Sequence, residues 1–289
     1  MKESSAKIKL IISMFIFGTI GIFRNYIPFP SGVIAFVRGF IGMLFLILVL
    51  AIKREKLNLA AIKKNLWLLI LSGAFIGINW ILLFEAYNYT SVSTATLCYY
   101  MAPMFVLIAS PIVLKERLGI KQGICILVAI IGMTLVSGVL RGGEIDLRGI
   151  LLGLGAAVLY ASVVLINRRL GDLAAYDKTV IQLSAATIVI LPYTLLAEEI
   201  SLAVFTPSVI ALVLILGIIH TGVAYAMYFG SIGMLSTQSV AIFSYIDPVV
   251  AIILSALILN EPMGILEIAG AVMILGAAIF SELGGKRKA

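Results

Sequence analysis

Four ionisable side chains stand inside long apolar stretches of this 289-residue chain: Arg38, Glu85, His220 and Asp247. At bilayer depth a charged group costs about 2.5–3.5 kcal/mol on insertion scales, so each should face an interior and have a partner. Asp247 has the chemistry to hold a substrate ammonium or a coupling proton. Its place directly before Pro248 equally suits the cap of a half-helix. His220, the only histidine, has an ordinary pKa of about 6.5 and suits proton coupling. Alone it builds no metal site, and the usual fate of a buried neutral histidine is a hydrogen bond to a carbonyl. Glu85, in LLFEAYNYT, lies where a carboxylate can reach the headgroups. Arg38 requires an acid, carbonyl groups or a substrate carboxylate.

Aromatic and polar residues fall beside these charges at helical spacing. Thr96, Tyr99, Tyr100 and Pro103 share one stripe; Ala241, Ser244, Tyr245 and Pro248 share another. A buried tyrosine must place its hydroxyl, and a cavity wall or a neighbouring helix can receive it. Asn79 and Trp80 lie together in another apolar run, and Tyr225 and Tyr228 follow His220 within one turn of each other. Tyr160 stands opposite Gly18 in a comparison of the two halves. These residues are the expected walls of a substrate site. Pro103 and Pro248 each remove an intrahelical bond and free a carbonyl four residues back, which marks them as hinges.

Helices must carry all of them. With 62% hydrophobic and 12% charged residues and a mean hydropathy of +1.16, the chain lacks the polar surface of a soluble protein. Charges and turn residues divide it into ten apolar runs, about 8–27, 31–52, 66–87, 91–114, 123–140, 149–170, 178–197, 208–229, 235–259 and 264–282. Each approaches the roughly 20 residues that cross a bilayer as a helix. The runs are continuous rather than alternating, which excludes a β-barrel.

The net charge of +7 raises the question of an acidic partner, and its placement answers it. If the N-terminus is cytoplasmic, seventeen of the 21 Lys and Arg residues fall on the inner face. Arg24, Arg141 and Arg148 fall outside, and Arg38 lies within a helix. That asymmetry orients a multi-pass protein with both termini inside and gives no nucleic-acid patch. Basic residues do precede the first run, but no signal-peptide cleavage site follows it.

The chain also matches itself at an offset of 145 residues. Tyr100 pairs with Tyr245, Pro103 with Pro248, Glu116 with Glu261, Gly119 with Gly264, Gly77 with Gly222, and Trp80 with Tyr225. Two five-helix units, 1–140 and 149–289, are the expected domains. Five is odd, so the second unit should sit inverted in the membrane. The loop KERLGIK carries three basic residues, whereas its twin NEPMGIL carries none. Inverted repeats are the architecture of secondary transporters, with the substrate near the midplane.

The paired helix–proline–helix–glutamate pattern, the run AYNYTSVSTATLCYYMAP and SYIDPVVA resemble the EamA family of the drug/metabolite transporter superfamily. The resemblance implies ten helices around a central cavity and export of amino acids or related metabolites. It also implies an acid at Asp247 whatever the substrate, and a small residue where Glu85 stands. Glu85 is therefore a candidate mark of a cationic or zwitterionic substrate. Arg38 belongs to a helix that the resemblance makes peripheral, so a structural tie is its expected role.

The expectation is an all-α plasma- or inner-membrane carrier of ten helices, with a small-molecule substrate and a lipid bilayer as its partners. A carrier for an amine, drug, nucleobase or sugar derivative is the alternative, and a membrane scaffold ranks lower. No Walker motif, nucleotide loop or intramembrane catalytic motif occurs, so no cofactor, metal or enzymatic activity is expected. A monomer is compatible with these features.

Overall fold

The computed structural model describes residues 2–55, 57–115, 118–137, 147–170, 173–199, 205–232, 234–235, 240, 243–261 and 263–283. Glu116, Arg141 and Ala241 lie outside them. Among the described residues the chain is helical without strands. α1 (Lys2–Gly18) and α2 (Ile20–Asn25) form one span broken at Thr19. α3 (Ser31–Lys53), the short α4 (Leu59–Lys64) and α5 (Leu66–Ala86) follow. α6 (Val92–Tyr99) and α7 (Ala102–Val113) form a second broken span. α8 (Ile120–Val136), α9 (Leu147–Arg169) and α10 (Ala175–Ala197) come next. α11 (Pro207–Ile215) runs through a π-helical stretch, Leu216–Val223, into α12 (Ala224–Ile232). α13 (Ile246–Ile258) and α14 (Ile265–Leu283) end the described chain.

Seven helical segments are long and apolar enough to cross a bilayer: Glu3–Asn25, Ser31–Lys53, Leu66–Ala86, Val92–Val113, Leu147–Arg169, Ala175–Ala197 and Pro207–Ser231. Three shorter apolar helices, Ile120–Val136, Ile246–Ile258 and Ile265–Ser281, occupy the remaining expected runs. Within the expected span 235–259, described residues 240, 243 and 244 are helical, Tyr245 is a turn, and α13 runs from Ile246 to Ile258. The sequence suggests that Pro103 and Pro248 stand mid-helix and free a carbonyl; the structure places them otherwise. Each lies in the first turn of a new helix, where its missing N–H has no intrahelical partner to lose. Tyr100 and Met101 fill the gap before one, and Tyr245 caps the other.

The 145-residue offset reappears in the backbone. Lys115 and Asn260, twins at that offset, have left-handed φ values of 58° and 55° at the ends of their helices. It reappears in packing too. A Cβ on Gly77 would stand 2.7 Å from Ile190 Cγ2, and one on Gly222 would stand 2.6 Å from Phe45 Cδ1. Phe45 and Ile190 are themselves twins, so the two contacts are the same contact with the halves exchanged.

Burial does not follow the sequence halves. One apolar core joins Leu97, Met104, Cys125 and Met133 to Ala157, Tyr245 and Ile274. A second joins Val33, Leu46, Trp80 and Phe84 to Leu183, Ile190 and Leu216. Each core therefore combines helices from both repeats. Carboxylates reinforce this exchange: Glu198 accepts from the amides of Gly32 (2.8 Å) and Val33 (2.7 Å) at the start of α3. Glu261 accepts from the Val92 amide (2.9 Å) at the start of α6. Both satisfy orphan helix N–H groups and complement the helix dipole.

Where α8 meets α14, Gly132 and Gly270 let the backbones touch: a Cβ on Gly132 would stand 2.8 Å from the Gly270 carbonyl oxygen. Gly276, by contrast, faces open space. Gly132→Ala is expected to destabilise the protein by about 1–3 kcal/mol through overpacking. Gly276→Ala should leave the apparent Tm in detergent unchanged, and equal shifts would contradict the close-approach account.

Candidate substrate site

The breaks before α7 and α13 bring a chain of aromatic rings together. Tyr99 lies 5.2 Å from Tyr160 on α9 and 5.9 Å from Tyr100, centroid to centroid; Tyr100 lies 6.2 Å from Tyr245. Tyr160 is in the middle of α9, yet 42% of its surface is accessible. Its electrostatic neighbours are Tyr225, Tyr228, Tyr245 and Asp247, on α12, at the α13 cap and on α13. That ring lies beside the break before α7, reached from α9 of the second repeat.

Asp247 lies in this chain. The Tyr100 hydroxyl donates to its Oδ2 at 2.7 Å. Asp247 sits in the first turn of α13, where the helix dipole favours an anion, but no side chain makes a capping hydrogen bond there. The carboxylate thus points across to the first repeat instead of back to its own helix. Gly18 makes room for the turn that carries it: a Cβ there would stand 2.6 Å from the Asp247 carbonyl oxygen.

Arg38 approaches from the other core. Its Nε donates to Thr221 Oγ1 at 2.8 Å, and its guanidinium lies 4.4 Å above the Trp80 ring and 5.7 Å from Phe84. Only 5% of Arg38 is exposed. The hydrogen bond ties α3 to the π-helical stretch. The neighbouring residue of that stretch, His220, meets Thr19, and Gly18 beside Thr19 lies against the Asp247 carbonyl, so Arg38 stands within a few contacts of Asp247.

The π-helical stretch sends adjacent side chains to two helices. Thr221 meets Arg38, while His220 Nε2 lies 2.8 Å from Thr19 Oγ1 at the break between α1 and α2. His220 Nδ1 lies 3.3 Å from the Ile215 carbonyl, five residues back, and Phe23 packs edge-on against the ring. The Thr19 hydroxyl donates to the Ile16 carbonyl at 2.7 Å, which leaves its oxygen to accept from a proton on His220 Nε2. Tyr225 packs 5.4 Å from Phe17, and Tyr228 packs 6.4 Å from the same ring.

Other candidates stand apart from this cluster or are committed elsewhere. The Asn79 side chain donates to the Ala156 carbonyl at 2.6 Å, joining α5 to α9. Trp80 is buried beneath Arg38. Ser244 donates to the Val240 carbonyl at 2.8 Å. Glu85 belongs to a separate polar group: it accepts from Ser31 (2.7 Å) and Asn88 (3.0 Å). Both of those residues also accept from Arg24 Nη2, Asn88 at 2.7 Å and Ser31 at 3.3 Å. Arg24 was expected in an outer loop and is buried in α2 instead. Its position inside the first apolar run was the signal available in the sequence. Thr19 and Thr221 carried none, since a hydroxyl in a membrane helix ordinarily bonds its own backbone.

Comparison with known proteins places this arrangement in context. The profile of the EamA-like transporter family matches residues 5–138 and again 147–282. The "Uncharacterized transporter YxxF" of Bacillus subtilis is 31% identical over 282 residues, covering 94% of this chain and 88% of that protein. A "Probable amino-acid metabolite efflux pump" of Salmonella typhimurium is 28% identical over 200 residues, covering 66% of this chain and 67% of that one. A solved crystal structure with 18% identity superposes with a TM-score of 0.65 over 97% of each chain, a likeness of fold.

The Tyr100–Asp247 bond gives a paired test. Tyr100→Phe removes the hydroxyl that serves the carboxylate and is expected to destabilise the protein by about 1–3 kcal/mol. Tyr99→Phe removes a hydroxyl with no hydrogen bond among the described residues and should be nearly neutral. Apparent Tm in detergent compares them, and the reverse order would contradict the assignment.

Proposed function

Taking as its premise that the chain belongs to the EamA-like transporter family, we propose that it is a secondary exporter of amino acids or related small organic metabolites. It is a multi-pass membrane transporter of the EamA type. In the proposal the ten apolar segments all cross, the second repeat is inverted, and both termini are cytoplasmic in the plasma or inner membrane. Basic residues concentrated on alternate loops support that orientation.

The observation that carries the reading is the aromatic cluster with Asp247 and Arg38 at the seam between two cores. Tyr99, Tyr100, Tyr160, Tyr225 and Tyr245 supply apolar faces with polar tips, suited to a small solute that has both characters. The helix breaks beside the site are the discontinuous helices from which transporters build midplane sites. Alternating access then needs the seam to open first toward one face and then toward the other. The name of the Salmonella relative supports amino-acid metabolites as the solute class and efflux as the direction. Phosphorylated solutes fit poorly, because several cations would be wanted and Arg38 is the cation at the cluster.

Counterflow of a labelled amino-acid panel into proteoliposomes tests the assignment. At least one amino acid should accumulate above protein-free vesicles. If none moves while an amine, nucleobase or sugar derivative does, the substrate class is wrong.

A further inference from the structure

We propose, on the basis of the carrier reading above, that Arg38 and Asp247 are the two poles of a receptor for a zwitterion. The substrate carboxylate binds the Arg38 guanidinium and its ammonium binds Asp247.

Both charges keep unused hydrogen-bonding capacity. Arg38 spends Nε on Thr221 and one guanidinium face on Trp80. Its two terminal nitrogens make no hydrogen bond to any described residue, and no described carboxylate forms an ion pair with it. That leaves the bidentate edge of a buried guanidinium, the geometry that best matches a carboxylate. Asp247 accepts one bond, from the neutral Tyr100 hydroxyl, and has lone pairs left over. No described cation is in ion-pair contact with it.

Contacts bring the two groups into one neighbourhood without an ion pair between them: Arg38 bonds Thr221, the adjacent His220 meets Thr19, and Gly18 lies against the Asp247 carbonyl. In a low-dielectric interior opposite charges attract strongly. Here the fold holds them apart instead of letting them collapse: Thr221 and Trp80 pin the cation, and Tyr100 pins the anion. A ligand with a carboxylate at one end and an ammonium at the other completes both. A simple amine would leave Arg38 bare, and a simple acid would leave Asp247 bare. Tyr99 and Tyr160, lying beside Tyr100, and Tyr225, packed against Phe17, offer ring surface for the remainder of the molecule. Because Arg38 packs with one core and Asp247 extends from the cap of the other, a bound zwitterion also draws the two cores together.

Trp80, beneath the guanidinium, provides a readout independent of transport. In a Trp67→Phe background it is the only tryptophan. The full-length protein in nanodiscs is titrated with L-phenylalanine and L-leucine, and with the decarboxylated amine and the deaminated acid of each. The amino acid should perturb Trp80 emission at lower concentration than either analogue. Arg38→Gln should weaken the amino acid at least tenfold while leaving the amine's midpoint within twofold, measured by competition with the intact amino acid's transport or by thermal shift. Retained amine binding also shows that the variant is folded. Arg38→Lys, which keeps the charge without the fork, should fall between. Equal weakening of amino acid and amine in Arg38→Gln would overturn the receptor and leave the amino-acid carrier standing. Failure of both amino acids, with either analogue binding to the unsubstituted protein, would overturn the carrier's substrate class and the receptor with it.

Discussion

A lipid interior offers no hydrogen bonds, and this one constraint shapes the molecule at every scale. Helices satisfy most of the backbone by themselves. At three departures from regular helix among the described residues, a partner from elsewhere in the sequence is at hand. Thr19, at the break between α1 and α2, meets His220; the gap before α7 brings Tyr100 to Asp247; the widened π-helical turns bring Thr221 to Arg38. Irregular backbone is tolerated at membrane depth only where protein or a cavity receives it, so these breaks mark the place where the bundle is least uniform. The substrate site is inferred at that place.

The same constraint explains why the two repeats exchange helices instead of folding side by side. A five-helix unit packed only on itself would meet its twin across a broad lipid-like surface with little to hold it. Here each apolar core takes helices from both units, and two glutamates of the second unit cap helices of the first. In the proposed transport cycle the moving bodies are the mixed cores, not the sequence halves, and the proposed solute site lies where Tyr100 and Asp247 join them.

Much of this was legible in the amino-acid sequence because the governing patterns are local or periodic. Apolar runs located the helices, and the 145-residue offset located their twins, which the paired left-handed residues Lys115 and Asn260 and the exchanged Gly77 and Gly222 contacts repeat in three dimensions. The aromatic stripe of Tyr99 and Tyr100 lies beside Tyr160, Tyr245 and Asp247, all of them named from sequence. What was not legible depends on pairing across the bundle. Nothing in the spacing of Arg38 tells that it meets Thr221 and lies over Trp80, since that depends on how α3 rotates against the π-helical stretch. Arg24 looked like a loop cation until α2 buried it with Ser31 and Asn88. Asn79 read as a cavity residue, yet a carbonyl on α9 takes its amide. Helical period gives the face of a helix, and only tertiary packing says what that face meets.

The central claim is that one repeat stands inverted relative to the other, since a midplane site that opens to alternate sides follows from it. Ile120 and Ile265 test it directly, because they are twins at the first residues of α8 and α14 and are 87% and 85% exposed. Native Cys98 and Cys125 are buried and give little background labelling. With a membrane-impermeant maleimide on cells, Ile265→Cys should label in intact cells and Ile120→Cys only after permeabilisation. Labelling of both positions from the same side would contradict the account.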